Sequence, residues 1–164
     1  MTVQLSQKER MLLQDQIKHE EVCIQKYNNY SNQAQDPQLK QLFKSYADQE
    51  QNHYNTLNQI LNGQVPNMGK QQSQQSQAQG GAQNQAQSEM ISQTQGGMQN
   101  QKDATLCADM LMTEKYVSNA YDTAIFEFKN SNIRQALNHI QKVEQQHGQG
   151  IFNYMNSKGL YNTQ

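Results

Sequence analysis

Four stretches of this sequence carry apolar residues at alternating steps of three and four, and in each the series is broken by a glutamate near its middle. The first runs Leu13, Ile17, Glu20, Ile24, Tyr27, Ser31, and the second Leu39, Phe43, Tyr46, Glu50, His53, Leu57, Ile60. The third runs Cys107, Leu111, Glu114, Ser118, Tyr121, Ile125, Phe128, and the fourth Ile133, Leu137, Ile140, Glu144, His147, Ile151, Tyr154. Such steps place each series on one stripe of an α-helix, the stripe that a bundle helix turns to its core. Only 34% of the residues are hydrophobic, so little apolar material is left for any other core. The chain is thereby held to an all-α fold of four helices.

Turn chemistry marks the helix ends. In "AQDPQL" Asp36 is an N-cap and Pro37 the first helical position, so one helix ends near Ala34 and the next begins at Pro37. Asn62-Gly63 stops the second helix. "KNSNIRQ" breaks the other pair, with Asn130 or Asn132 as cap, and Gly159 stops the fourth. The helices therefore group as two αα-hairpins, 5–63 and 102–159. Between them, residues 64–101 hold fourteen glutamines in thirty-eight positions, with two glycine pairs and few aliphatic side chains. That composition cannot offset its ordering entropy, and the segment reads as a flexible Gln-rich linker. A self-associating glutamine tract is the alternative reading. The whole, 1–164, is one domain.

The hairpins are an internal repeat. A shift of 94 positions carries Asp15 onto Asp109, Glu20 onto Glu114, Tyr27 onto Tyr121, Glu50 onto Glu144 and His53 onto His147. Overall identity between the halves is low, yet the coincident positions carry the chemistry. Glu20 and Glu50 both lie roughly 22 Å from the first turn at 1.5 Å per residue, and Glu114 and Glu144 straddle the second turn in the same way. Packed midpoint to midpoint, the hairpins bring all six side chains to one layer.

Four carboxylates in one desolvated layer cannot all ionise unaided, because burial and mutual repulsion each cost several kcal/mol. Two divalent cations cancel those charges. One glutamate from each of two helices plus Glu-x-x-His from each of the other two is the donor set of dinuclear carboxylate bundles. Oxygen and imidazole donors suit iron or manganese better than zinc. In that arrangement Glu50 and Glu144 bridge the metals, Glu20 and Glu114 each bind one end, and His53 and His147 bind one metal each.

With those six residues in place, the chain resembles the ferritin-like superfamily. The resemblance spans both hairpins and implies a ferritin-like four-helix bundle in which the linker crosses the bundle's length between helices two and three. It also implies that Tyr27 and Tyr121 lie near the metals, whereas their place on the seams favours simple core. His19 and His139 sit one place off the seams, as supports to the site or as plain boundary residues.

A narrower resemblance rests on "DATLCADMLMTEKYVSNAYDTAIFEF" and "HGQGIFNYMNSKGLYNTQ". Asp109, Lys115, Tyr116 and Tyr121, with the ending from Met155 through Gly159 to Tyr161, look like the coat F family of spore coat proteins from endospore-forming bacteria. Leu160 stands where that family often has tryptophan. The resemblance implies a protein of the spore coat, made in the mother-cell cytoplasm, with other coat proteins as partners and a homodimer compatible.

Net charge is −1 at pH 7, which gives no electrostatic reason to expect nucleic acid or an anionic membrane as partner. No apolar run approaches the roughly 20 residues of a membrane helix, and no secretory signal is visible. Cys23 and Cys107 read as buried free thiols. There is no phosphate-binding glycine loop, Ser-His-Asp order or Cys-x-x-Cys motif. Two classes of function remain: a structural or assembly protein of the spore coat, favoured by the second resemblance, or a di-iron or di-manganese redox enzyme acting on peroxide or oxygen, catalase- or rubrerythrin-like. A catalyst needs an open coordination position and access for a small oxidant.

Overall fold

The computed structural model describes residues 2–66 and 96–161. Four α-helices form there: α1 Gln7–Gln33, α2 Pro37–Leu61, α3 Gly96–Glu127 and α4 Ser131–Ser157. Beyond them, the described residues hold one isolated bridge, between Thr2 and Gln64. Each cap has a local cause. Ser6 and Glu9 make a capping box at α1, Asp36 accepts from Gln38 N at 2.8 Å, and Asn130 accepts from Asn132 N and Ile133 N. Gly63 ends α2 at φ +79°, where an added Cβ would stand 2.9 Å from the Val3 carbonyl oxygen, so glycine is required twice over. The helix ends match those read from turn residues, except that α3 begins at Gly96. Residues 96–101 are thus helix, continuing the third stretch backwards through glutamine and methionine, both good helix formers. Residues 67–95, the rest of the segment taken as linker, lie outside the described residues.

Cross-helix bonds give the directions. Between α1 and α3, Lys8 pairs with Glu127 at 2.7 Å, Lys26 with Asp109 at 2.8 Å, and Gln35 N donates to Asp103 at 2.8 Å. Numbers rise on one helix as they fall on the other, so the two are antiparallel. Between α2 and α4, Tyr154 donates to Asp36 at 2.8 Å and His147 meets Gln49 at 3.0 Å, again antiparallel. Val3 N donates to Gly63 O at 2.8 Å, which ties the end of α2 to the start of α1, while the start of α3 lies against the α1–α2 turn. The connection from α2 to α3 therefore joins opposite ends of the bundle.

The deep core follows the sequence stripes on α2 and α4 throughout. On α1 and α3 it shifts: Cys23 is buried where Ile24 is half-buried, and Met110, Val117 and Ala124 are buried where Leu111, Ser118 and Ile125 are half-buried. A bundle helix faces two neighbours, and the residue one place along from the shared seam flanks only one of them. Apolar packing divides in two. One cluster gathers Leu13, Leu57, Tyr121, Phe128, Ile133 and Leu137, and the other Tyr27, Leu39, Phe43, Met110, Ile151 and Tyr154. Cys23 and Cys107 are free and lie in different clusters. Between the clusters sits a polar layer.

Candidate metal centre

Glu20 of α1, Glu50 and His53 of α2, Glu114 of α3, and Glu144 and His147 of α4 make that layer, and all six are buried. The three-residue spacing sets each glutamate and histidine one turn apart on one face. Donor atoms gather in two quartets, Glu20–Glu50–His53–Glu144 and Glu50–Glu114–Glu144–His147, each with its atoms within 4.8 Å of one another. Glu50 and Glu144 belong to both.

Both imidazoles turn Nδ1 to the layer. His53 Nδ1 lies 2.8 Å from Glu144 Oε1, 3.0 Å from Glu50 Oε2 and 3.7 Å from Glu20 Oε2. His147 Nδ1 lies 3.2 Å from Glu50 Oε1, 3.4 Å from Glu114 Oε1 and 3.8 Å from Glu144 Oε2. One ring nitrogen bears one proton or one lone pair, so three carboxylate oxygens around it exceed what hydrogen bonding can satisfy. The shortfall is visible: Glu20 Oε2, Glu114 Oε2 and both oxygens of Glu144 are buried without an aligned hydrogen bond, the 2.8 Å approach of His53 to Glu144 Oε1 being poorly directed for one. Each such group costs about 1–3 kcal/mol. A cation at each quartet would take up those lone pairs, and a donor set of carboxylates and imidazole fits a divalent transition metal.

Electrostatics point the same way. Burial pushes Glu50 and Glu144 well above the usual carboxylate range, and the charges of the other glutamates push further. Burial acts on Glu20 as well, but the facing His53 more than offsets it and holds that carboxyl below its ordinary value. For His53, burial opposes the charge, yet the carboxylates of Glu144, Glu20 and Glu50 raise its pKa well above the usual value. Without metal, Glu50 and Glu144 are the carboxyls of the layer that burial and repulsion drive towards the protonated form. The Cys23 thiol is raised by burial and by the same four carboxylates, which leaves it unreactive.

Side chains beyond the six hold the layer in place, two of them the tyrosines of the repeat and the others not singled out by the sequence. Tyr27 donates to Glu114 and Tyr121 to Glu20, each hydroxyl reaching across between α1 and α3. Their rings also fill the core, as their place on the seams implied. His147 Nε2 lies 3.0 Å from Gln49 Oε1, an acceptor, so a proton on Nε2 is favoured there and Nδ1 would be available to a cation in the layer. Tyr46 stacks on His147 at 4.2 Å between centroids, and its hydroxyl rests where a Cβ on Gly150 would be, 1.8 Å away. Only glycine leaves room there. Further out, Asp103 accepts from Gln35 N and Asp36 N at 2.8 and 2.9 Å, and Glu9 accepts from Lys129 N at 3.0 Å. Each carboxylate thus clasps the turn of the other helix pair. The same shift of 94 positions relates Glu9 to Asp103, a signal present in the sequence. Asp15, although it coincides with Asp109, is exposed and has no such part, whereas Asp109 bonds Lys26 and Tyr30. His19 bonds Gln16 and meets the edge of Tyr116, and His139 is half-buried; neither enters a quartet. Glu21, the neighbour of Glu20, is exposed.

The described chain is thus an all-helical bundle with a carboxylate–imidazole layer between two apolar clusters. Residues 102–164 match the family model of the Coat F domain, in agreement with the coat F resemblance of the second half. That segment supplies Glu114, Glu144 and His147, while Glu20, Glu50 and His53 lie outside it. No curated protein and no solved structure matches the chain. Among the described residues, no helix is long and apolar enough to cross a membrane.

Proposed function

We propose that this is a spore coat protein whose two αα-hairpins form a ferritin-like bundle, and that Glu20, Glu50, His53, Glu114, Glu144 and His147 hold two divalent metal ions, iron or manganese before zinc. Its role is structural or in coat assembly, beside other coat proteins. The match to the Coat F domain supports the coat role. The observation that carries the metal pair is the two quartets sharing Glu50 and Glu144, with four carboxylate oxygens left without an aligned hydrogen bond. Bound ions of this kind cancel the four charges and offer Lewis-acid or redox chemistry to a small oxidant. Glu50 and Glu144 span both positions, Tyr27 and Tyr121 orient the two terminal carboxylates, and Gln49 fixes the tautomer of His147.

Elemental analysis of protein purified without chelator tests the metal reading: two equivalents per chain are expected, and none would overturn it. Extraction of the coat layer from purified spores tests the location, and recovery of the protein only from the spore interior would refute it. The second reading, a redox enzyme acting on peroxide or oxygen, is favoured by one observation: a cavity open to solvent is lined by Glu114 and Glu144. Peroxide consumption by the metal-loaded protein decides between the two.

A further inference from the structure

The internal repeat is symmetric in its donors and asymmetric in what covers them. On the α3–α4 face, a cavity of about 470 Å³ is flanked by Leu111, Ser118, Gln141 and Gly148, with the buried Glu114 and Glu144 in its lining. Gly148 leaves this space clear: a Cβ there would be 3.7 Å from its nearest neighbour, Leu111 Cδ1. Shifting by 94 positions gives the α1–α2 face, where Ile24 stands in place of Ser118 and Tyr54 in place of Gly148. Tyr54 packs against the core cluster of Leu13 and Ile17. The α1–α2 face thus carries an isoleucine and a tyrosine at the positions where the α3–α4 face has a hydroxyl and a bare backbone beside a cavity. Two of the four carboxylate oxygens without an aligned hydrogen bond are those of Glu144, which lines the cavity, and a third is Glu114 Oε2.

Resting on the metal reading above, we propose that the α3–α4 cavity is a one-sided access path, by which a small ligand with a free lone pair, of two or three atoms, reaches the metal position of Glu50, Glu114, Glu144 and His147. The width at Ser118 and Gly148 sets the size admitted, and the buried carboxylates beyond them exclude anything that cannot bind a cation. The other quartet, behind Ile24 and Tyr54, is closed to the same ligand. The two metal positions, alike in donors, then differ in reactivity.

The test copies the covered face onto the open one. Wild type and the Ser118→Ile/Gly148→Tyr variant are refolded in cobalt(II), so that the ions enter before the bundle closes, and cobalt is counted by elemental analysis. Azide is then titrated against the cobalt absorption bands. We expect two cobalt ions in both proteins, with an azide-induced spectral change in wild type that is lost in the variant. Equal azide responses at two ions per chain, or no response in wild type, would overturn the access path and leave the metal reading intact. Absence of cobalt from wild type would overturn both. Should the double variant fail to fold, Ser118→Ile alone is compared by stopped flow: slower azide binding supports the path, and an unchanged rate refutes it.

Discussion

Replacing Glu50 and Glu144 together with glutamine removes the two carboxyls that both quartets share. In the metal-free wild type both groups are raised well above 4.5, by burial first and then by the neighbouring carboxylates, so the fold holds protons at pH values where the unfolded chain has given them up. Stability therefore rises as pH falls. Each extra bound proton is worth about 1.4 kcal/mol per pH unit, so a single proton held by the fold throughout the window between pH 7.5 and 5.5 contributes about 3 kcal/mol. His53 acts in the same direction, because its raised pKa gives stability that is complete below about 6.5 and is lost as pH rises through the folded value. Glu20, held low, loses stability only as pH falls below about 4.5, outside this window. Spread over a chain of this size, the change in melting temperature is on the order of 10 °C. The assay is thermal melting followed by circular dichroism at the two pH values, after chelation and with metal restored. Apo wild type should melt higher at pH 5.5, and the Glu50→Gln/Glu144→Gln variant should show little pH dependence, exceed apo wild type at pH 7.5 and bind no metal. Metal should raise the wild type more at pH 7.5, because protons compete for the same donors. A pH-independent apo wild type, with no gain from the double substitution, would refute the account of a strained carboxylate layer.

Three further outcomes are expected. Gln49→Leu removes the acceptor for His147 Nε2–H and should weaken metal binding by about 10–100-fold, measured by competition with a chromophoric chelator; unchanged affinity would mean that Gln49 does not set the imidazole. Gly150→Ala drives a Cβ into the Tyr46 hydroxyl and should cost about 1–3 kcal/mol in urea denaturation, with part of the loss recovered by adding Tyr46→Phe. Asp103→Ala leaves the Gln35 and Asp36 amides without their acceptor and should cost about 1–3 kcal/mol, with faster hydrogen exchange at those two amides and not at Lys129, which Glu9 holds.

How far the chain can be read without its fold depends on the range of each interaction. Helix ends were legible because caps act over three or four residues: Asp36, Asn62-Gly63, Asn130 and Gly159 each stand where a helix stops or starts. The phase of Glu20, Glu50, His53, Glu114, Glu144 and His147 was legible because a helix repeats every 3.6 residues, and a polar residue on an apolar stripe is forced inward with it. Their common height followed from the rise per residue. Composition located the start of the connection but not its end, since glutamine and methionine carry α3 back to Gly96. What the helices do to one another was beyond any local rule. The choice of Cys23 over Ile24 and Val117 over Ser118 for the deep core depends on which two neighbours each helix meets. The crossing of Tyr27 to Glu114 and Tyr121 to Glu20, the hold of Gln49 on His147, and the clasp of each turn by Asp103 or Glu9 join residues far apart in the chain. The open face beside Ser118 and Gly148 belongs to the same group, because a small residue on a helix becomes a cavity only when the helix beside it leaves the space unfilled.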